Sequence, residues 1–118
     1  MAEYGFVYCL SNACMPGVYK IGFTRGSPHF RAQQLSAPTG VPVPFEVEWY
    51  VETECADLLE KDVHDRFSFD RVHGSREFFR VCPIDVFEYL DGRHASDWRS
   101  PDHLFRIEKK RKSLALAG

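Results

Sequence analysis

The chain has 118 residues, room for one domain and too few for two of ordinary size. Its 44% hydrophobic and 14% aromatic content excludes a disordered chain, no apolar run approaches the ~18 residues of a membrane span, and four cysteines are too few for a disulfide scaffold. The net charge of -2 conceals a split: residues 93–112 hold seven basic against three acidic side chains, and residues 1–92 hold eight against fourteen.

The start, Met1-Ala2-Glu3-Tyr4-Gly5, lacks a basic region followed by an apolar stretch, so no signal peptide is expected and the location expected is cytoplasmic, with reduced thiols. Residues 5–10 and 18–23 are short runs of β-branched and aromatic residues and read as strands. The connection between them carries Asn12, Pro16 and Gly17 and reads as a hairpin turn. Strand alternation places Phe6 and Tyr8 on one face of the first strand, and Val18, Lys20 and Gly22 on one face of the second. Ser27 followed by Pro28 signals a helix over 28–36, with Phe30, Gln34 or Leu35 toward the core and Arg31 beside them. Three prolines exclude regular structure over 37–44.

Residues 45–52 alternate apolar and acidic side chains, the pattern of a strand with one wet face. Thr53 then caps a helix over 54–67, whose apolar positions Cys55, Leu58, Leu59, Val63 and Phe67 follow the 3.6 period. After a polar loop over 68–75, residues 76–81 read as a short extended segment, and Pro83 opens a helix through Leu90 that Asp91-Gly92 ends. The rest is polar, then helical near 104–116. The order describes an α+β fold, a small, mostly antiparallel three-stranded sheet flanked by helices, with a domain over 4–91 and a basic, partly helical C-terminal tail over 92–118.

Gly5-Phe6-Val7-Tyr8, then Tyr19-Lys20-Ile21-Gly22, then Arg31 on the next helix and Glu60 on the following one, resemble a GIY-YIG nuclease domain. The likeness is closest to the compact branch of phage and bacterial proteins, which adds a late element like Arg76-Glu77-Phe78-Phe79. It spans residues 4–90. It implies a DNA endonuclease that hydrolyses phosphodiester bonds with one divalent metal, Mg²⁺ or Mn²⁺. By position, Tyr8 is the tyrosine of the first motif, Lys20 stands where the second motif usually has tyrosine, Arg31 is the helix arginine and Glu60 the metal-binding carboxylate. No asparagine follows Glu60, so the family's late asparagine has no counterpart.

The chemistry fits those residue types. A guanidinium presents planar donors to phosphate oxygens, the role for Arg31. A hard cation that keeps its waters needs one carboxylate, the role for Glu60. A phenol titrates near ~10, so Tyr8 needs nearby positive charge to serve as a base, and Lys20 would lower its pKa or hold a phosphate. His64 lies one helical turn beyond Glu60 and would shuttle a proton, orient a water or add a ligand; His29 and His73 are weaker candidates. Arg25, Arg76, Lys109, Lys110, Arg111 and Lys112 are the phosphate-contacting candidates. Taken singly, each residue has an ordinary reading. Lys20 suits an exposed edge strand, and Arg76-Glu77 a loop-closing salt bridge. The cysteine spacing matches no zinc knuckle, and Cys55 and Cys82 sit at apolar positions that read as core. Two alternatives to the nuclease remain: a catalytically impaired fold that binds DNA or protein, and an adaptor that docks through its tail.

Overall fold

The computed structural model describes residues 2–37 and 43–117; most of the proline-rich stretch, 38–42, lies outside the described residues. Strands β1 (Gly5–Ser11) and β2 (Tyr19–Thr24) form a hairpin, followed by helix α1 (Pro28–Ser36), strand β3 (Glu46–Thr53) and helix α2 (Ala56–Arg66). A 3₁₀ turn at Ser68–Asp70 leads to β4 (Phe78–Phe79), α3 (Pro83–Tyr89), β5 (Ser96–Arg99) and α4 (Pro101–Ala117). The α+β class holds, but the antiparallel sheet has five strands, not three, in the order β4-β2-β1-β3-β5. No helix among the described residues is long and apolar enough to cross a membrane.

Both faces of the sheet are covered. Val7, Cys9, Ile21, Trp49 and Val51 are fully buried under α2 and α3, where Trp49 also donates its indole N–H to the Pro83 carbonyl at 3.0 Å. Tyr8, Leu10 and Val47 pack on the other face against Ala32 and Leu35 of α1. On α1 the inward residues are thus Pro28, Ala32 and, as expected, Leu35, while Phe30 and Gln34 stay exposed. Ser27 is the cap, accepting from the Phe30 amide at 3.3 Å. On α2 Leu58 is likewise exposed, and Cys55 rather than Thr53 holds the cap position. That helix start is met from outside: the Glu3 carbonyl accepts from the Ala56 amide at 2.8 Å, and the Glu3 amide donates to Asp57 at 2.9 Å.

Four further readings are corrected. The wet face of 45–52 is broken at Glu48: β3 shifts register opposite Cys9 and Leu10, and this bulge turns Glu48 inward, where it is 2% exposed, while Glu46 stays exposed and Glu52 half-buried. Its carboxylate pairs with Arg106 of α4 and lies 3.6 Å from the ring of His103, itself fully buried. The segment 92–118 begins on the sheet, with Ser96–Arg99 paired to Trp49–Glu52. Cys9, not Cys55 or Cys82, is the core cysteine; Cys82 is exposed at the start of α3 and Cys55 half-buried. Lys20 is no exposed edge lysine, because β4 pairs alongside it and leaves it 7% exposed.

Candidate active site

The hairpin register decides which side chains meet. Tyr8 pairs with Gly22 and Leu10 with Lys20, so Tyr8 and Lys20 share a face of the sheet but sit two positions apart. The Tyr8 ring crosses the neighbouring strand at Gly22, where any Cβ would come within 2.6 Å of the Tyr8 oxygen. Only glycine leaves that path open. Tyr8 is 2% exposed, so its hydroxyl is fixed by packing, and the Arg31 guanidinium from α1 is near enough to favour its ionised form.

Beyond β4, the outer edge of β2 has no strand beside it among the described residues. α2 closes it instead with side chains one turn apart. The Nε2 of His64 lies 2.8 Å from the Ile21 carbonyl, and the Phe23 amide faces the Glu60 carboxylate. These groups satisfy an edge that would otherwise present bare peptide groups. The Ile21 amide in turn donates to the Glu77 carbonyl at 2.9 Å, and the Glu77 carboxylate pairs with Lys20. The Lys20 ammonium also lies 5.4 Å from the Phe78 ring centre. Glu60, His64, Arg71, Arg76 and Glu77 line a cavity of about 470 Å³ against this edge.

The electrostatics follow from burial beside two carboxylates. Burial raises the Tyr8 phenol above its usual value; Arg31 opposes this, and the charges of Glu77 and Glu60 add to it. The expected activation of Tyr8 by Lys20 is therefore reversed: Lys20 is spent on Glu77, and Arg31 is the cation that acts on the phenol. Burial, reinforced by the charge of Glu77, pushes Glu60 up to about 7. Burial lowers His64, against the bond to Ile21. The neutral ring is thus the favoured form. With Nε2–H donating to a carbonyl, its Nδ1 is left as an acceptor, suited to a water and not to a phosphate oxygen.

The residues expected at the site separate into two groups. Tyr8, Arg31, Lys20, Glu60, His64 and Arg76 surround one end of the hairpin. Arg25 instead pairs with Glu3, Lys110 with Asp85 at 3.1 Å and Arg111 with Glu108 at 3.6 Å; Lys109 and Lys112 are exposed on α4, and none of these lines the cavity. Sequence reasoning missed Arg71 and the role of Glu77. The clue to Glu77 was Lys20 itself, since a lysine inside an apolar strand needs an anion once the strand is covered.

No group of three or more His, Cys, Asp or Glu side chains among the described residues is poised to hold a metal. The donor set still fits a hard divalent cation that retains its waters. Two carboxylates, Glu60 and Glu77, face the cavity, and the charge of one already opposes ionisation of the other.

The compact α+β fold thus gathers a packed phenol, an arginine absent from the ion pairs of the described residues and a half-buried carboxylate at one sheet edge. The family model of the T5orf172 domain, a phage-associated, nuclease-like domain, matches residues 5–94. The chain belongs to that family. No curated protein and no solved structure matches it.

Proposed function

We propose that the chain is a metal-dependent endonuclease of the GIY-YIG type that hydrolyses phosphodiester bonds in DNA. The observation that carries this reading is the crossing of Tyr8 over Gly22, which aims its hydroxyl at Arg31 and toward the edge that Glu60 closes. Three groups of the kind hydrolysis needs thereby converge from β1, α1 and α2. Arg31 binds the non-bridging phosphate oxygens and offsets the charge that grows on them. Tyr8, its phenol raised by burial, enters protonated and orients the attacking water through its hydroxyl. Nδ1 of His64 accepts from a second water in the cavity. Glu60, with Glu77 beside it, would hold Mg²⁺ or Mn²⁺, which supplies Lewis-acid polarisation of the phosphate when bound.

The test is a plasmid-nicking time course with Mg²⁺, with Mn²⁺ and with EDTA. Nicking by the wild type is expected with either metal and absent in EDTA. In Glu60→Ala it should fall by roughly two orders of magnitude or more, as when a group that stabilises transition-state charge is removed. Nicking that persists in Glu60→Ala and in Arg31→Ala would sink the proposal.

Two observations favour a second reading, a fold that binds DNA without cutting it. The lysine in the second motif is neutralised by Glu77, and the phenol is harder, not easier, to ionise. That reading expects salt-sensitive DNA binding and no nicking with any metal.

A further inference from the structure

Arg71 lines the cavity beside Glu60, His64 and Glu77, yet it is absent from the ion pairs of the described residues, as are Arg31 and Arg76. Its position is built and not incidental. Its main chain bridges to Phe79, with the Val72 amide on the Phe78 carbonyl and the Arg80 amide on the Asp70 carbonyl, both at 2.8 Å. Its guanidinium lies 5.3 Å from the ring centre of Phe79, a fully buried residue of the core. The turn beyond it is pinned as well. Ser75 donates its hydroxyl to the Val72 and Phe78 carbonyls at 2.9 and 3.1 Å, and Gly74 takes the left-handed conformation at φ +79°. An arginine braced by an aromatic face and left without an anion is prepared to receive one at little entropic cost.

We propose that the wall formed by residues 70–77 is a second phosphate subsite, centred on Arg71, which takes a phosphate neighbouring the one held at Arg31. This rests on the reading of the cavity as a nucleic-acid site and deepens it: the ligand is a strand with at least two phosphates, not a mononucleotide. Arg76, exposed on the same wall, extends the contact along the strand. The subsite lies on a different element from Arg31, so a bound strand bridges α1 and the loop before β4 and straddles the edge of β2. Two fixed phosphates set the strand's direction across Tyr8 and Glu60, which a single arginine does not.

The experiment measures fluorescence anisotropy of a short labelled DNA strand, and of its duplex, across a salt series with the protein in EDTA. Arg71→Ala should weaken binding about tenfold, the loss of one charge-assisted contact. It should also flatten the log–log salt dependence by about 0.7 for the single strand or about 0.9 for the duplex, the contribution of one phosphate. Arg71→Lys should keep the wild-type slope while losing part of the affinity, because it keeps the charge and not the fork. A merely structural role would lower the melting temperature and leave the slope unchanged. An unchanged slope in Arg71→Ala, or a flattened one in Arg71→Lys, overturns the subsite alone. A wild type that binds the DNA with the expected slope change but never nicks upholds the subsite and removes the nuclease reading. A wild type that binds neither DNA overturns both.

Discussion

Two glutamates are drawn into this fold beside a cation, one at each side of the sheet, and they behave differently. Glu48 on β3 is sealed beneath α4, where Arg106 pairs with it and His103 lies against it with neither ring nitrogen hydrogen-bonded. Glu77, just before β4, pairs with Lys20 at the lip of a cavity that also holds Glu60 and two arginines outside any ion pair. The first pair joins two elements, β3 and α4, and lies away from that cavity. The second leaves a surplus of groups that await a ligand. Burial of charge alone does not mark a site; charge at an open cavity, beside arginines outside the ion pairs of the described residues, does.

The largest effect on stability should come from the sealed pair. Glu48→Ala leaves the Arg106 charge and the His103 ring without their partner, and a loss of about 2–4 kcal/mol in urea unfolding is expected. Replacing both charges, as in Glu48→Met with Arg106→Leu, should recover most of that loss, since a buried pair often does no better than apolar residues of similar volume. Nicking by the double variant should match the wild type, because neither residue approaches the cavity. A double variant as unstable as Glu48→Ala would mean that the pair anchors α4 by more than mutual satisfaction.

Between the two regions lies Gly22. A strand glycine usually gains roughly 0.5–1 kcal/mol on becoming alanine, through the lost chain entropy. Here the sign should reverse. The new methyl meets the Tyr8 ring, which cannot withdraw from its packed position, so a loss of about 1–3 kcal/mol is expected. Nicking should fall further than stability accounts for, as Tyr8 is pushed from Arg31. A Gly22→Ala protein with wild-type rates and melting would show that the crossing is incidental.

Much of this was legible in the chain. The hairpin, the Ser27-Pro28 helix start and the periodic helix through Val63 follow from local pattern, and the ordered motif residues pointed to one end of the hairpin. What escaped depended on pairing across distance. Ser96–Arg99 holds one apolar residue, Trp98, and becomes a strand only because β3 offers it a partner. Glu48 read as solvent-facing because alternation cannot foresee a bulge. Lys20 read as an edge residue because the two-residue β4 that covers it is too short to announce itself. Arg71 carried no signal in its own neighbourhood, since its place comes from the ring of Phe79 and the ladder beside it.

The smallest effect is also the sharpest divide between the two regions, between Glu60 at the cavity and Glu48 in the sealed pair. In the unfolded chain Glu60 loses its proton near the usual 4.5, and in the fold it holds it to about 7. Between those values the native state binds more protons than the unfolded one, so this group's contribution to stability falls as pH rises from about 4.5 to about 7 and is flat above. Glu60→Gln should therefore stabilise the protein by roughly 1–2 kcal/mol at pH 8 once solvent screening is allowed for, and by nothing measurable near pH 4. The same change at the sealed site, Glu48→Gln, should destabilise at pH 8 because it strips Arg106 of its counter-charge. Opposite signs from one substitution, in urea melts at the two pH values, separate a carboxylate held for a ligand from one held for the fold. A Glu60→Gln protein less stable than the wild type at pH 8 would return Glu60 to the second group, as a cap on the β2 edge and nothing more.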